Sequence, residues 1–306
     1  MSKKKIFKVS ESLAGQRVDR VLQIFAGLSR KKVKGLLDQG KVLVNGRKVV
    51  IASWEMKKGD RLEIEHEGAE TSAKEYYLKV VYEDADLLVI EKDPGVACEK
   101  SPIATKPTII AIINAYFKRK YPHLKHHYLG LVHRLDTETS GLMVYTKTKE
   151  ANRITDQFKR HTIKREYLAV VQERIEPEGG KIEGYLKKSN LLAGGKKVQL
   201  STRESGREAV THFRVLERYH DATLVEIELN TGRTHQIRVQ MASIGHPVIG
   251  DKIYGSGTRH PTPFPRQALH ASFLGFRHPV THQKMEFKSE LPRDLRKLVD
   301  RLRLKS

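Results

Sequence analysis

The sequence predicts an α+β protein of two domains, a small basic N-terminal unit and a larger one on a largely antiparallel or mixed β-sheet with flanking helices. Three observations predict it. Apolar, β-branched runs recur at LGLVHRL, GLMVYTK, REYLAVVQ, HFRVLERY and ATLVEIEL with no regular helix between each pair, which disfavours a doubly wound parallel sheet. The segment EGAETSAK, Glu67 to Lys74, is small and polar without apolar period, so it reads as a linker with a domain boundary near residue 75. Finally, 306 residues that are 39% hydrophobic suffice for two packed cores.

Charge and cysteine content narrow the function classes. Lys and Arg number 57 against 36 Asp and Glu, a net of +21 with histidine neutral, which points to a polyanionic partner. A single cysteine, Cys98, excludes an internal disulfide and reads as a small core residue. No apolar run approaches the roughly 18 residues of a membrane span, and MSKKKIFKVSES lacks the apolar centre of a secretory signal. The expectation is a soluble, monomeric cytoplasmic protein with no membrane partner.

In the first unit, Val18, Val21, Leu22 and Phe25 recur at helical spacing, as do Val33, Leu36 and Leu37, giving two short helices with one buried face each. Ser29 is placed to cap the second. A strand with an Asn45-Gly46 turn follows. The second helix begins with Arg30, Lys31, Lys32 and Lys34, cations that oppose its dipole, an arrangement that phosphate binding would explain better than a merely solvated face. In the larger unit, LKVVYEDADLLVIEKDPG carries strand-like runs and TIIAIINAYFKRKY is an amphipathic helix.

Two clusters carry chemistry-bearing residues. In LGLVHRLDTETSGLMVYTK an apolar strand, Leu129 to Val132, delivers His133-Arg134-Leu135-Asp136 to a polar turn, and a second strand leaves from Leu142. Asp136 then either closes an Asx-turn or is a reacting group held by the sheet, and Arg134 two residues before it suits a routine surface ion pair. In NTGRTHQIRVQMASIGHPVIGDKIYG, Gly232, Arg233, His235, Gln236 and Arg238 lie between a strand, Val225 to Leu229, and a predicted helix. Arg233, flanked by small residues, suits bidentate pairing with a carboxylate or phosphate, while His235 is equally readable as a core histidine. His123 and His127, four apart, would share a helix face, but Pro122 and the lack of an acidic third ligand make a zinc site a poor reading. Phosphate-loop and dinucleotide motifs and paired CxxC are absent, and Ser140 in TSGL lacks the glycine of a nucleophile elbow.

Residues Ser29 to Gly46, with the pattern SR-x-x-V-x-x-L-x-x-G-x-V-x-VNG, and the later Gly59-Asp60 resemble the S4 RNA-binding domain. HRLDTETSGLMV, NTGRTHQIRVQ, IGHPVIGDKIYG and RQALHASFLGFRHPVT, in that order over residues 79 to 295, resemble the RluA-type, large-subunit-rRNA family of pseudouridine synthases. The resemblance implies an S4 domain at 12–70, a linker at 71–75 and a catalytic domain at 76–306. It implies isomerisation of uridine to pseudouridine in structured RNA, with neither cofactor nor metal.

By the same resemblance, Asp136 is the catalytic aspartate, acting as nucleophile or in proton transfer. Tyr167 stacks on the target base, Arg233 pairs with Asp136 and aims it, and Arg134 fills the space left by the flipped base. Arg30, Lys31, Lys32 and Lys34 contact RNA. Three positions depart from the family pattern: Pro94 is displaced by one in Lys92-Asp93-Pro94-Gly95, Gln240 stands where histidine is frequent, and Arg165 where lysine is usual. The expected substrate is ribosomal RNA. The alternatives are transfer RNA with the same chemistry, or a non-catalytic RNA-binding or ribosome-assembly factor.

Overall fold

The structure is a computed structural model that describes residues 3–26, 30–66, 76–99, 107–124, 127–190, 196–255 and 260–304. The described residues fall into two units, one of residues up to 66 together with Pro107 and one of residues 76–99 and from 108 onward. In the first, strands β1 (Lys3–Lys8), β2 (Val42–Val44), β3 (Arg47–Lys48) and β4 (Arg61–His66) form an antiparallel sheet in the order β1-β4-β2-β3. Helices α1 (Val18–Ala26) and α2 (Arg30–Asp38) bury Val18, Val21, Leu22, Val33 and Leu37 against Val42, Val44, Leu62 and Ile64 of that sheet. Phe25, expected on the buried face, is 36% exposed and lies against Phe7 with ring centroids 5.2 Å apart. Asn45 (φ 48°) and Gly46 (φ 80°) both take the left-handed backbone that a two-residue hairpin between β2 and β3 demands. Arg30 and Lys34 of α2 are exposed. The Lys31 and Lys32 side chains and the expected cap Ser29 lie outside the described parts.

In the second unit the described strands form one sheet of eleven. They are β5 (Lys79–Glu83), β6 (Leu87–Lys92), β7 (Gly130–Leu131), β8 (Ser140–Thr146), β9 (Lys164–Gln172), β10 (Gly179–Asn190), β11 (Lys196–Ser201), β12 (Arg207–Arg218), β13 (Ala222–Leu229), β14 (Leu269–Arg277) and β15 (Lys284–Lys288). Their order is β11-β10-β12-β13-β9-β14-β8-β6-β5, with β15 on β14 and β7 on β8. Every pairing is antiparallel except β14 with β8, so the expected mixed, largely antiparallel sheet is present.

The sheet is covered on both sides. Leu88, Ile90, Met143 and Tyr145 join the core under α3 (Ile109–Lys120) and α6 (Arg293–Arg303), while the alternate residues Leu87, Val89, Leu142 and Val144 pack with Ile154 of α4 (Ile154–Lys159). That period of two explains why β6 and β8 read as continuous apolar runs. Thr108 caps α3 by accepting from Ala111 N (3.3 Å). The helix stops at Lys120, and Pro122 follows in a turn. His123 and His127 therefore share no helix face, contrary to their spacing, and His127 packs on Phe117 and Tyr121 with centroids 5.1 and 5.8 Å away. The strand expected at Leu129 to Val132 shortens to Gly130–Leu131, and the next begins at Ser140 rather than Leu142.

Candidate active site

Asp136 sits in the turn between β7 and β8, and several carbonyls of that turn are clamped. Lys92 Nζ donates to Thr137 O (3.0 Å) and also to Asp93 O and Val96 O (2.9 and 3.0 Å), and Gly95 N donates to Thr137 O (2.8 Å). The displaced Pro94 thus leaves a loop that still grips the Asp136 turn. Lys92 is fully buried, which pushes its ammonium down to about 8. Cys98 Sγ donates to Leu135 O (3.2 Å), and Arg266 Nη1 donates to Glu138 O (3.0 Å). Gly141 follows with φ 117°, and a Cβ there would stand 2.2 Å from Ala271 O, so only glycine lets β8 lie beside β14 at this point.

The Asp136 side chain closes no Asx-turn. Its Oδ2 accepts from Arg238 Nη1 (2.7 Å) and, weakly, from Gln267 Nε2 (3.4 Å). Its Oδ1 makes no hydrogen bond within the described residues, and His235 Nε2 stands 3.9 Å from it.

The arginine that pairs with Asp136 is therefore Arg238 and not Arg233. Arg238 lies inside α5 (Gln236–Ser243), with a side chain only 6% exposed, whereas Arg233 is in the preceding loop and donates from Nε to Glu208 O (2.8 Å). Arg233 points its guanidinium along β12, and the loop is pinned that way because Gln236 Oε1 accepts from Arg233 N (3.0 Å) and Thr231 Oγ1 (2.8 Å). A Cβ on Gly232 would come 2.5 Å from Arg165 Nη1, so a larger residue there would push that guanidinium aside.

Arg238 is itself held from behind by Asp251. Its Nε and Nη2 donate to the two Asp251 oxygens (2.6 and 2.9 Å), and Asp251 Oδ1 also accepts from Ile253 N and Tyr254 N (2.9 and 3.1 Å). Burial alone would lower the arginine's affinity for its proton, but the two carboxylates more than reverse that and raise it, keeping the guanidinium charged. Burial likewise opposes the Asp251 charge, and its donors outweigh burial and hold its carboxyl below the usual range. Tyr254 lies over the guanidinium, 5.1 Å from ring centroid to Cζ.

A cleft of about 60 Å³ opens over this pair, lined by Arg134, Asp136, Tyr167, Arg233, His235 and Arg238 among others. Tyr167 of β9 is 7% exposed and burial raises its phenol pKa, so the hydroxyl is protonated; it makes no hydrogen bond to a described residue. Arg134 stands at the rim, about half exposed, and pairs with Glu99 (2.7 Å) instead of Asp136. His133 is structural. Its Nε2 accepts from Val144 N (3.0 Å), its ring stacks on Phe158, and desolvation pushes it down to about 3.

The two remaining departures from the family pattern lie close by. Arg165 is 8% exposed, lies over Phe158, and has one long hydrogen bond, Nη2 to Leu229 O (3.4 Å). Gln240 staples α5 to the sheet through Thr211 Oγ1, Ala209 O and Ile182 O.

Arg238 lies in the second sequence cluster, and Asp251, Tyr254 and Gln267 lie in the runs that carry the family resemblance, but the sequence alone gave none of the four a role beside Asp136. Residues 236 to 241 are all buried in the structure, and an arginine enclosed in such a helix requires carboxylate partners. Among the described residues no three His, Cys, Asp or Glu side chains are grouped as a metal site.

Comparison with known proteins bears on the whole chain. Residues 86–243 match the RNA pseudouridylate synthase family model and residues 16–62 the S4 domain model. The chain is 36% identical to an uncharacterized RNA pseudouridine synthase of Bacillus subtilis, covering 96% of both. It is 36% and 34% identical to ribosomal large subunit pseudouridine synthase D of Salmonella typhimurium and Vibrio parahaemolyticus, covering 96% of this chain and 93% of each relative. Among solved structures, the human RNA pseudouridylate synthase domain containing proteins 1 and 4 share the fold, with TM-scores of 0.58 and 0.60 at 24% and 23% identity, over 74% of this chain and 95% and 93% of theirs. With its clamped aspartate turn inside the matched span and an S4 domain ahead of it, the chain belongs to the RNA pseudouridylate synthase family.

Proposed function

We propose that this protein isomerises uridines of large-subunit ribosomal RNA to pseudouridine, with Asp136 as the reacting carboxylate. The observation that carries the reading is the asymmetry of that carboxylate: Oδ2 is held by Arg238 while Oδ1 faces the cleft with no hydrogen bond to a described residue. A carboxylate so fixed is aimed at one point without spending its free oxygen on the protein.

The chemistry follows from that aim. Oδ1 acts when the C1′–N1 bond of the uridine breaks, as nucleophile or as base, and Arg238 steadies the charge on the other oxygen. Tyr167, a neutral phenol with an unengaged hydroxyl, offers its ring to the detached uracil while the base turns to present C5. The cleft, about 60 Å³, is small against the roughly 300 Å³ of an ordinary ligand site. Arg134, held by one exposed ion pair, is the rim residue freest to swing into the vacated stack. Residues 12–70, with Arg30, Lys31, Lys32 and Lys34, dock the RNA, and residues 76–306 carry out the reaction. The proposed oligomeric state is a monomer. Among the described residues no helix is long and apolar enough to cross a membrane, and the proposed place of action is the cytoplasm, where ribosomal RNA is processed.

The test is tritium release from C5-labelled transcripts of 23S-type ribosomal RNA and of transfer RNA, with pseudouridines mapped in each product. Release at defined positions in ribosomal RNA is expected. Preferred release from transfer RNA would overturn the substrate assignment, and release from neither would favour a non-catalytic assembly factor.

A further inference from the structure

His235 lines the cleft and the mechanism above does not use it, and several features of its setting are unusual for a space-filling histidine. It takes a left-handed backbone (φ 55°, ψ 19°) immediately before α5, a conformation that non-glycine residues hold mostly where surrounding structure enforces it. Gln236 enforces it here, bonding Thr231 Oγ1, Arg233 N, Val210 O and Thr211 Oγ1. The side chain is 16% exposed, and it reaches the cleft between Asp136 and Tyr254.

The ring's proton can be placed. Tyr254 Oη accepts from Val198 N (2.8 Å) and lies 2.9 Å from His235 Nδ1. With one lone pair engaged by Val198, the phenol's own proton goes to Nδ1, so Nε2 carries the imidazole hydrogen. The opposite arrangement would leave the phenol proton without an acceptor and turn the Nε2 lone pair toward the Asp136 carboxylate. Burial disfavours the doubly protonated ring, even with Asp136 and Asp251 nearby and Arg238 opposing them.

Nε2–H therefore faces Asp136 Oδ1 across 3.9 Å. That gap is too long for a direct hydrogen bond, yet it accommodates one oxygen at hydrogen-bond distance from both. Such an oxygen must accept from Nε2–H and donate to Oδ1, which a carbonyl or phosphate oxygen cannot do and a hydroxyl can. In a ribonucleoside the base leaves from one face of the sugar, and a carboxylate approaching C1′ from the other face meets the 2′-hydroxyl. We infer that His235 is a substrate-contacting residue that recognises the target uridine's 2′-hydroxyl, which bridges His235 Nε2 and Asp136 Oδ1. The inference rests on Asp136 being the reacting carboxylate. Hydrogen bonds to the hydroxyl next to a reacting anomeric carbon strengthen as positive charge develops there, so the interaction contributes to rate more than to affinity.

The test compares single-turnover rates on an RNA carrying uridine or 2′-deoxyuridine at the mapped target position. The wild-type enzyme should prefer the ribose form by about 10- to 100-fold. His235→Asn suits the left-handed backbone but is too short to reach the bridge, and it should bring that ratio below about 3-fold with RNA affinity unchanged. Tyr254→Phe, which removes the proton holding Nδ1, should also shrink the ratio. A wild-type enzyme that accepts both sugars equally, or a His235→Asn enzyme that slows on both while keeping the ratio, would overturn the inference. A folded His235→Asn protein is verified by its melting curve. Asp136→Asn measured alongside separates the two readings: surviving turnover there removes the role of Asp136, whereas a retained sugar ratio in His235→Asn removes only that of His235.

Discussion

Replacing Arg238 by lysine tests which arginine aims Asp136. The guanidinium donates three short hydrogen bonds, two to Asp251 (2.6 and 2.9 Å) and one to Asp136 (2.7 Å). A lysine keeps the charge but has no planar fork to span two carboxylates, so about two of the three disappear. At roughly 1.5–3 kcal/mol per charge-assisted bond the loss is about 3–6 kcal/mol, divided between folding and rate. Asp251 is fully enclosed, so the ammonium stays with it and the bond to Asp136 is what goes.

An aspartate misplaced by about 1 Å costs on the order of 100-fold in rate. Single-turnover tritium release by Arg238→Lys should therefore fall about 100-fold or more, with the RNA dissociation constant within about tenfold, or 1.4 kcal/mol. The melting temperature should drop by about 5–10 °C. Arg233→Lys should keep its single-turnover rate within about tenfold, because its guanidinium bonds Glu208 O and not Asp136. If Arg233→Lys lost about 100-fold in rate and Arg238→Lys did not, the pairing drawn here would be wrong.

Other outcomes follow from the same geometry. Asp136→Asn removes the charge at nearly constant volume, so turnover should fall below detection while RNA binding persists; measurable turnover free of wild-type contamination would refute its role. Glu83 is opposed by burial, yet donors from Lys120, Lys147, Tyr116 and Tyr121 outweigh it and hold the carboxyl at about 2 against an ordinary 4.5. A depressed carboxyl stabilises above its unfolded value and loses that contribution, about 3 kcal/mol, as pH falls from about 5 through 2. Acid unfolding of Glu83→Gln should be correspondingly less steep in that window, and an unchanged pH profile would count against this. Neutralising Arg30, Lys31, Lys32 and Lys34 should flatten the log-log salt dependence of RNA affinity by about 0.7–0.9 for each phosphate that no longer meets a cation, read by filter binding. An unchanged slope would remove the docking role.

What the sequence made legible was what local pattern controls. The α+β architecture followed from strand runs without intervening helices, and the Asn45-Gly46 hairpin from its dipeptide. The HRLD turn was located because an apolar run led into it, although that run proved to be a two-residue strand. Sequence pattern favours the wrong arginine because Arg233 sits in a loop of small residues, where ligands are expected to bind, while Arg238 is enclosed in a helix whose residues 236 to 241 are all buried. Periodicity cannot assign a face to such a helix. The Asp136–Arg238 pair joins residues 102 apart in sequence, so no local window contains it.

The position of β14 has a consequence for how this enzyme comes into being. Although nearly the last strand made, it lies at the centre of the sheet, between β9 and β8. Without it the larger unit is two separate sheets, one of β5 to β8 holding Asp136 and one of β9 to β13 packed with the helix that carries Arg238. A chain growing on a ribosome exposes its RNA-docking unit first and the two unjoined halves next, and acquires the aspartate–arginine pair only when residues 269–277 are free to insert. Such late, non-local closure is intrinsically slow. Pulsed hydrogen exchange during refolding should accordingly protect β6 with β8 and β9 with β13 before the turn at Asp136. The newborn protein is thus an RNA binder before it is a catalyst.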